Sequence, residues 1–333
     1  MSDYHIYGIG AALVDTEIEV SDADLVDLEI KKGVMTLVDE GQQRQLMDQL
    51  SGHLVHSKRA SGGSAANTII AASYFGGRNF YSCKVADDEN GDFYVNDLHA
   101  AGVDYHHATM PEKGTTGKCL VMITPDAERT MTTFLGMSAA LSEAELHPDV
   151  VPKCRYIYIE GYLVSSPSGK AAAIKLRQLA EQRGVSTSIS LSDPAMVEFF
   201  GDGLREMIGD GVDLIFCNEQ EAKGFTGSDS IEVAAEALKQ YAKTFAITLG
   251  ARGALVYDGK EMITIEPQPV KAIDTNGAGD MFAGAFLYAL THGHSYAVAG
   301  NLASHAAATL VTQYGPRLPA EQHRAIKQRV IGE

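Results

Sequence analysis

Apolar positions along the chain fall into two alternating rhythms. Short runs such as "YHIYGIG" (Tyr4–Gly10), "NFYSCKV" (Asn79–Val85) and "RYIYIEGYLV" (Arg155–Val164) have the length and β-branched or aromatic content of strands. So do "VSTSISL" (Val185–Leu191), "VDLIFCN" (Val212–Asn218) and "TFAITLG" (Thr244–Gly250). Between them, "AANTIIAASYFG" (Ala65–Gly76), "SGKAAAIKLRQLAEQRG" (Ser168–Gly184), "SIEVAAEALKQYA" (Ser230–Ala242) and "SYAVAGNLASHAAATLV" (Ser295–Val311) carry helical spacing. "GDFYVNDLHAAG" (Gly91–Gly102) is amphipathic and closes on a glycine, a common helix stop. Strand–helix alternation predicts an α/β fold with a mostly parallel sheet covered by helices on both faces. Two stretches break the rhythm, near 13–55 ("DTEIEV", "GVMTLVDEGQQRQLM") and near 105–137 ("TTGKCLVMITP", "RTMTTFLG"). Both alternate at period two, which predicts a small sheet outside the main layers; edge strands of the main sheet are the competing reading.

Composition narrows the function classes. The 333 residues hold 43 Asp and Glu against 27 Lys and Arg, a formal charge of -16. Such a surface repels nucleic acid and anionic membrane, so neither is expected as a partner. Four cysteines, Cys83, Cys119, Cys154 and Cys217, are scattered without a C-x-x-C pair, which fits a cytoplasmic protein with reduced thiols. "MSDYHIYGIGAALVD" has no cationic leader, and no run approaches the roughly 18 apolar residues of a membrane span. The pairs His106–His107 and His292–His294 lack ligand spacing for zinc and read as loop residues.

The chemistry concentrates in "DTNGAGDMFAGAF" (Asp274–Phe286). Glycines let backbone amides approach a ligand, and a helix N-terminus leaves its first N–H groups unpaired with partial positive charge. Gly277, Ala278 and Gly279 therefore predict an anion hole. Asp280 beside it cannot bind the anion but can take a proton from an attacking hydroxyl, which points to phosphoryl transfer to an alcohol. Alone, Gly-x-Gly-Asp reads equally as an acid stabilised by the helix dipole. Other nucleotide motifs fail: Leu13 breaks a G-x-G-x-x-G after Gly8 and Gly10, and there is no P-loop and no protein-kinase H-R-D or D-F-G. "NEQE" (Asn218–Glu221) reads on its own as a helix cap with Glu221 reaching back.

Further stretches stand in a fixed order: "GGSAANT" (Gly62–Thr68), "KVADDENGDFYVNDLHAAGVD" (Lys84–Asp104), "NEQE", "TLGARGA" (Thr248–Ala254) and "DTNGAGD" (Asp274–Asp280). As a set, spanning nearly the whole chain, they resemble the ribokinase-type (PfkB) family of carbohydrate and nucleoside kinases. The resemblance implies a ribokinase-like, Rossmann-type three-layer sandwich, a single kinase domain over 1–330, with a discontinuous β-sheet lid at 13–55 and 105–137. It implies ATP and Mg²⁺, with Asp280 as base and the 277–279 amides as anion hole. Asn218 and Glu221 match the pair that holds Mg²⁺ through water. Asp15, Gly62, Gly63 and Asn67 match the sugar contacts; Thr248, Gly250, Gly253 and Asn301 match the nucleotide side. Asp274, with the backbone of Val311–Pro316, matches a site for a monovalent cation such as K⁺.

Within the family, the long insertion near residues 20–46 and Arg129 after a lid strand resemble members that phosphorylate adenosine. Arg129 would clamp the moving phosphate with its fork of donors. Leu13, Met35, Phe134, Tyr162 and Leu163 would form an apolar slot for a base, core packing being the other reading. Glu160 ends a strand near this site without an assigned role. The expected partner is a small nucleoside or sugar, and the expected state a monomer or homodimer. A sugar kinase and a non-catalytic nucleoside sensor are the alternatives.

Overall fold

The computed structural model describes residues 3–53, 55–107, 110 and 112–332, excluding the side chains of 55–59. Residues 1, 2, 54, 108, 109 and 111, which fall within the predicted domain and lid ranges, lie outside the described residues. The strands are β1 (Tyr4–Ile9), β2 (Leu13–Glu19), β3 (Met35–Leu37), β4 (Val55–Gly62), β5 (Asn79–Ser82), β6 (Val103–Asp104), β7 (Thr116–Ile123), β8 (Arg129–Gly136), β9 (Cys154–Ile159), β10 (Ser186–Ser190), β11 (Val212–Asn218), β12 (Ala242–Thr248), β13 (Ala254–Tyr257) and β14 (Met262–Ile265). The helices are α1 (Asp22–Asp27), α2 (Glu40–Gln49), α3 (Ser64–Tyr74), α4 (Glu89–Ala100), α5 (Pro167–Gln182), α6 (Pro194–Ile208), α7 (Glu219–Thr226), α8 (Ile231–Leu238), α9 (Ala278–Thr291), α10 (Tyr296–Leu310) and α11 (Ala320–Ile331).

Nine strands form one sheet in the order β14-β13-β12-β11-β10-β9-β1-β5-β6, parallel except for the antiparallel pairings of β13 and β14. Its strands are apolar on both faces because helices cover both, as β11 shows with Leu214 and Phe216 in one core cluster and Ile215 and Cys217 in the other. The remaining five strands form a second sheet, β3-β8-β7-β2-β4, built from the two period-two stretches and β4. The polar-to-apolar alternation of these stretches thus marked a sheet of their own, not edges of the main one.

Three local expectations change. Glu40–Gln49, inside the stretch that alternates from Gly33, is helical: Asp39 and Gln42 close a capping box, and Gln43 and Leu46 turn inward three residues apart. The strand expected to run to Val164 stops at Ile159, and Gly161–Ser165 form a 3-10 turn. Helices α6 and α11 escape the strand–helix reading of the sequence.

Chain order reverses at β1, whose neighbours are β5 on one side and β9 on the other. In open α/β sheets a crevice forms at the carboxyl ends of strands flanking such a reversal. Gly10 and Glu160 stand at the ends of β1 and β9, so this crevice is where the chain's functional residues are to be sought.

Helix α11 brings an acid-sensitive group into the core. His323 of α11 is fully buried, with its ring 4.7 Å from the Phe75 ring and Nδ1 3.1 Å from Pro319 O. Burial pushes its pKa down from 6.5 to about 4. The folded state thus keeps the ring neutral while the unfolded chain protonates it, so the stabilisation is complete above pH 6.5 and lost as pH falls toward about 4. The shift is worth on the order of 3 kcal/mol. His323→Phe is expected to lose less melting temperature than the parent between pH 7 and 4.5; equal losses would refute this origin of acid sensitivity.

Candidate active site

Two helices built from small residues create the centre of the site. A Cβ at Gly284 of α9 would stand 2.4 Å from Thr68 O of α3, so glycine is what lets these helices approach. One turn toward the N-terminus on the same faces are Asp280 and Ser64. Close packing therefore brings Ser64 Oγ to donate to Asp280 Oδ1 at 2.6 Å. Asn67, on the next turn of α3, donates from Nδ2 to Asp280 Oδ2 at 3.1 Å. Burial raises the Asp280 pKa, opposed by these two hydrogen bonds and by the positive charges of Arg129 and Arg317.

The start of α9 is fixed by backbone geometry. Gly277, its cap residue, has φ 73°, and a Cβ there would meet Pro316 O at 2.7 Å. Gly279 differs: a Cβ would meet nothing within 4 Å, so packing does not require glycine and the space beside its backbone is open. Ala278 N–H donates to Thr275 O at 3.2 Å. Among the described residues no protein acceptor takes the N–H of Gly277 or Gly279. Of the three amides expected to face an anion, the turn thus takes the middle one, and those of Gly277 and Gly279 stay without a protein acceptor among the described residues.

Asp15, on β2, projects into the same cavity as Asp280, Gly63, Ser64 and Asn67. It is 5% exposed, and among the described residues no protein donor reaches its carboxylate. Burial first, and then Glu17, raise its pKa well above the ordinary value. Gly62 does not line the cavity; it backs Asp15, because a Cβ there would lie 2.0 Å from Asp15 Oδ1. Glu160 has a definite place: it accepts from Ala11 N at 3.2 Å and Ala65 N at 2.8 Å, tying the end of β1 to the start of α3. Burial pushes its carboxyl up to about 7.

The smaller sheet supplies an apolar wall. Leu13, Met35, Cys119, Met131 and Leu135 line the cavity, with Tyr162 from the larger body. Phe134 does not: strand alternation sends Met131, Thr133 and Leu135 of β8 inward and Phe134 to the other face, which corrects the expected slot. Leu163 packs in the core instead. Arg129, at the start of β8, also lines the cavity. Burial works against its charge, but Tyr162, Asp193 and Asp280 together raise its pKa above the ordinary arginine value.

At the other end, Asn218 and Glu221 cap α7 and line the cavity at once. Asn218 donates its N–H to Glu221 Oε2 at 3.0 Å and its Nδ2 to Oε1 at 2.5 Å, and Glu221 N–H returns to Asn218 Oδ1 at 2.8 Å. The capping reading and the cavity position hold together. Burial pushes the Glu221 carboxyl up to about 7. Thr248 lines the cavity as well. Gly250 and Gly253 shape the turn between β12 and β13, where Gly253 has φ 85° and a Cβ would strike Ile265 O at 2.1 Å. Asn301 is exposed on α10 and does not line the cavity. Asp274 is buried and joins two loops, accepting from Asn276 N at 2.8 Å and Gly315 N at 2.9 Å.

Besides the wall residues Cys119, Met131 and Leu135, sequence reasoning passed over the polar residues Ser64, Asp193, Asp97 and Arg317. Ser64 had a usable signal, since it precedes Asn67 by three positions and shares its helix face. Asp193 caps α6 through Ala195 N at 2.7 Å and accepts from Tyr162 Oη at 3.4 Å; its "SDP" setting is a capping signal only. Asp97 and Arg317 had none: Arg317 reaches both Asn67 and Asp97 from more than two hundred positions away.

A carboxylate beside free helix-terminal amides, a cation facing it and a second buried carboxylate in the same cavity are the parts of a phosphotransferase with an alcohol group as acceptor. The model for pfkB family carbohydrate kinases matches residues 35–323, and the chain belongs to that family. Similar proteins include the adenosine kinase of Saccharomyces cerevisiae, 29% identical over 94% of this chain and 96% of that one. Among solved structures, a probable sugar kinase from Rhizobium etli superposes with a TM-score of 0.93 at 33% identity, covering 99% of both chains. The adenosine kinase of Sinorhizobium meliloti gives 0.93 at 32% identity, over 98% of this chain and 100% of that one.

Proposed function

We propose that this protein transfers the γ-phosphoryl group of ATP to the 5′-hydroxyl of adenosine, giving AMP and ADP. The observation that carries the reading is the single cavity in which Asp280, the α9 N-terminus and Asp15 face an apolar wall of Leu13, Met35, Met131 and Leu135. Asp15 accepts from ribose hydroxyls, while the wall receives the base. Asp280 takes the proton from the 5′-hydroxyl as it attacks, and the Gly277 and Gly279 amides stabilise charge on the transferring phosphoryl. Arg129 adds a fork of donors to the same charge.

Asn218 and Glu221 fit Mg²⁺ at a distance. Their polar atoms already bond each other, which leaves lone pairs of the Glu221 carboxylate for water rather than a dedicated ligand cage. Bound there with ATP, Mg²⁺ would neutralise phosphate charge. Asp274 pins the loops where a monovalent cation would sit, so the assay below is run in K⁺ and in Na⁺, and equal rates would remove that site.

ATP consumption measured with adenosine, inosine, guanosine, ribose and fructose tests the acceptor. Adenosine is expected to give the highest kcat/KM. Inert adenosine with a reactive free sugar would replace this reading by a sugar kinase.

A further inference from the structure

Arg317, in the turn before α11, joins three elements with one guanidinium. Nε donates to Asn67 Oδ1 of α3 at 3.2 Å, Nη1 to Asp97 Oδ2 of α4 at 2.7 Å, and Nη2 to Ser61 Oγ of β4 at 2.9 Å. Ser61 donates its N–H and its hydroxyl to the same Asp97 oxygen. Asn67 has one acceptor and one donor group on its amide. Guanidinium only donates, so with Oδ1 facing Arg317 the Nδ2 group must point away, and there it meets Asp280 Oδ2. The chain of contacts runs Asp97–Arg317–Asn67–Asp280 across residues more than two hundred positions apart in sequence.

We propose that Arg317, anchored by Asp97, is a positioning residue for Asp280: it fixes the Asn67 amide that holds one oxygen of the base. This rests on the reading of Asp280 as the base. Ser64 holds the other oxygen, so the two donors together orient the carboxylate toward the hydroxyl it serves. The charged and titratable groups facing Asp280 are Arg129 from β8, Arg317, Asp15 from β2, Tyr158 from β9, and Glu160 and Tyr162 beyond it. Arg317 is thus one of two cations that offset burial and neighbouring acids at the base. Its removal raises the Asp280 pKa further, which moves the acidic limb of the kcat–pH profile to higher pH.

Three variants assayed with adenosine and ATP, beside Asp280→Asn, test the role. Arg317→Met is expected to lower kcat on the order of 10- to 100-fold, the scale of a small misplacement of a reacting group. Its acidic limb moves up and its KM for ATP stays near the parent value. Arg317→Lys keeps the charge but loses the fork, so the limb stays near the parent position while kcat remains low. The double variant Asp97→Asn/Arg317→Met leaves no unpaired charge and recovers melting temperature, yet keeps the slow kcat and the shifted limb. Parent kcat and an unmoved limb in the folded double variant would overturn the positioning role and leave Arg317 a structural residue. Substantial turnover by Asp280→Asn would instead overturn the reading of the base itself.

Discussion

Asp280→Asn is expected to give a folded protein whose kcat with adenosine falls by ~10²–10⁴-fold, the span that a positioned general base supplies. The change is isosteric and removes a charge that burial disfavours. The α3–α9 contact at Gly284 and Thr68 lies a full turn away and does not depend on the carboxylate. The melting temperature should therefore hold or rise while turnover collapses, which separates a chemical role from a structural one. Substrate binding should change little, because the Gly277 and Gly279 amides and Asp15, proposed to hold the substrates, remain. The parent's pH profile carries the same information. Asp280 accepts a proton only when ionised, and its pKa is raised, so kcat falls as pH drops through that raised value. Initial rates of ADP formation alongside thermal melting test the expectation; near-parental turnover would exclude Asp280 as the base.

For Asp15→Asn the acceptor's KM should rise about 30-fold or more, since a hydrogen bond to a charged group is worth about 2 kcal/mol. The folded protein should also become more stable. Asp15 is buried among carboxylates, facing Glu17 and Asp280, and among the described residues no protein donor reaches it. A carboxylate held in that state costs stability in the empty protein, and the ribose hydroxyls proposed to bind there would offset the cost. Opposite movements of melting temperature and acceptor affinity are the signature. An unchanged KM, or a lowered melting temperature, would show that Asp15 serves the fold instead.

The two expectations draw on different kinds of information. Asp280 was legible in the sequence because its neighbours are local: glycines, a helix start and an acid within a few residues make a site whose geometry the backbone itself imposes. Asn218 and Glu221 were legible for the same reason, as partners three apart at a helix start. Phe134 was misplaced because its strand's inward face depends on pairing with β7 and β3, and one residue of register exchanges the faces. Gly250 and Gly253 were legible as a turn, and they form the hairpin between β12 and β13 with positive φ. Ala278 looked like an anion-hole donor until Thr275 O claimed its amide.

By itself, the sequence determined the alternating strand–helix layers, the separate small sheet and the helix-terminal centre at 277–280, since periodicity and short-range capping act within a few residues. Only the tertiary structure decided that Ser64 and Asn67 hold Asp280, that Glu160 ties β1 to α3, and that Arg317 and Asp97 set the Asn67 amide. Those contacts join residues far apart along the chain, and it is the packing of α3 on α9 at a single glycine that brings Asp280 and its donors within hydrogen-bonding distance.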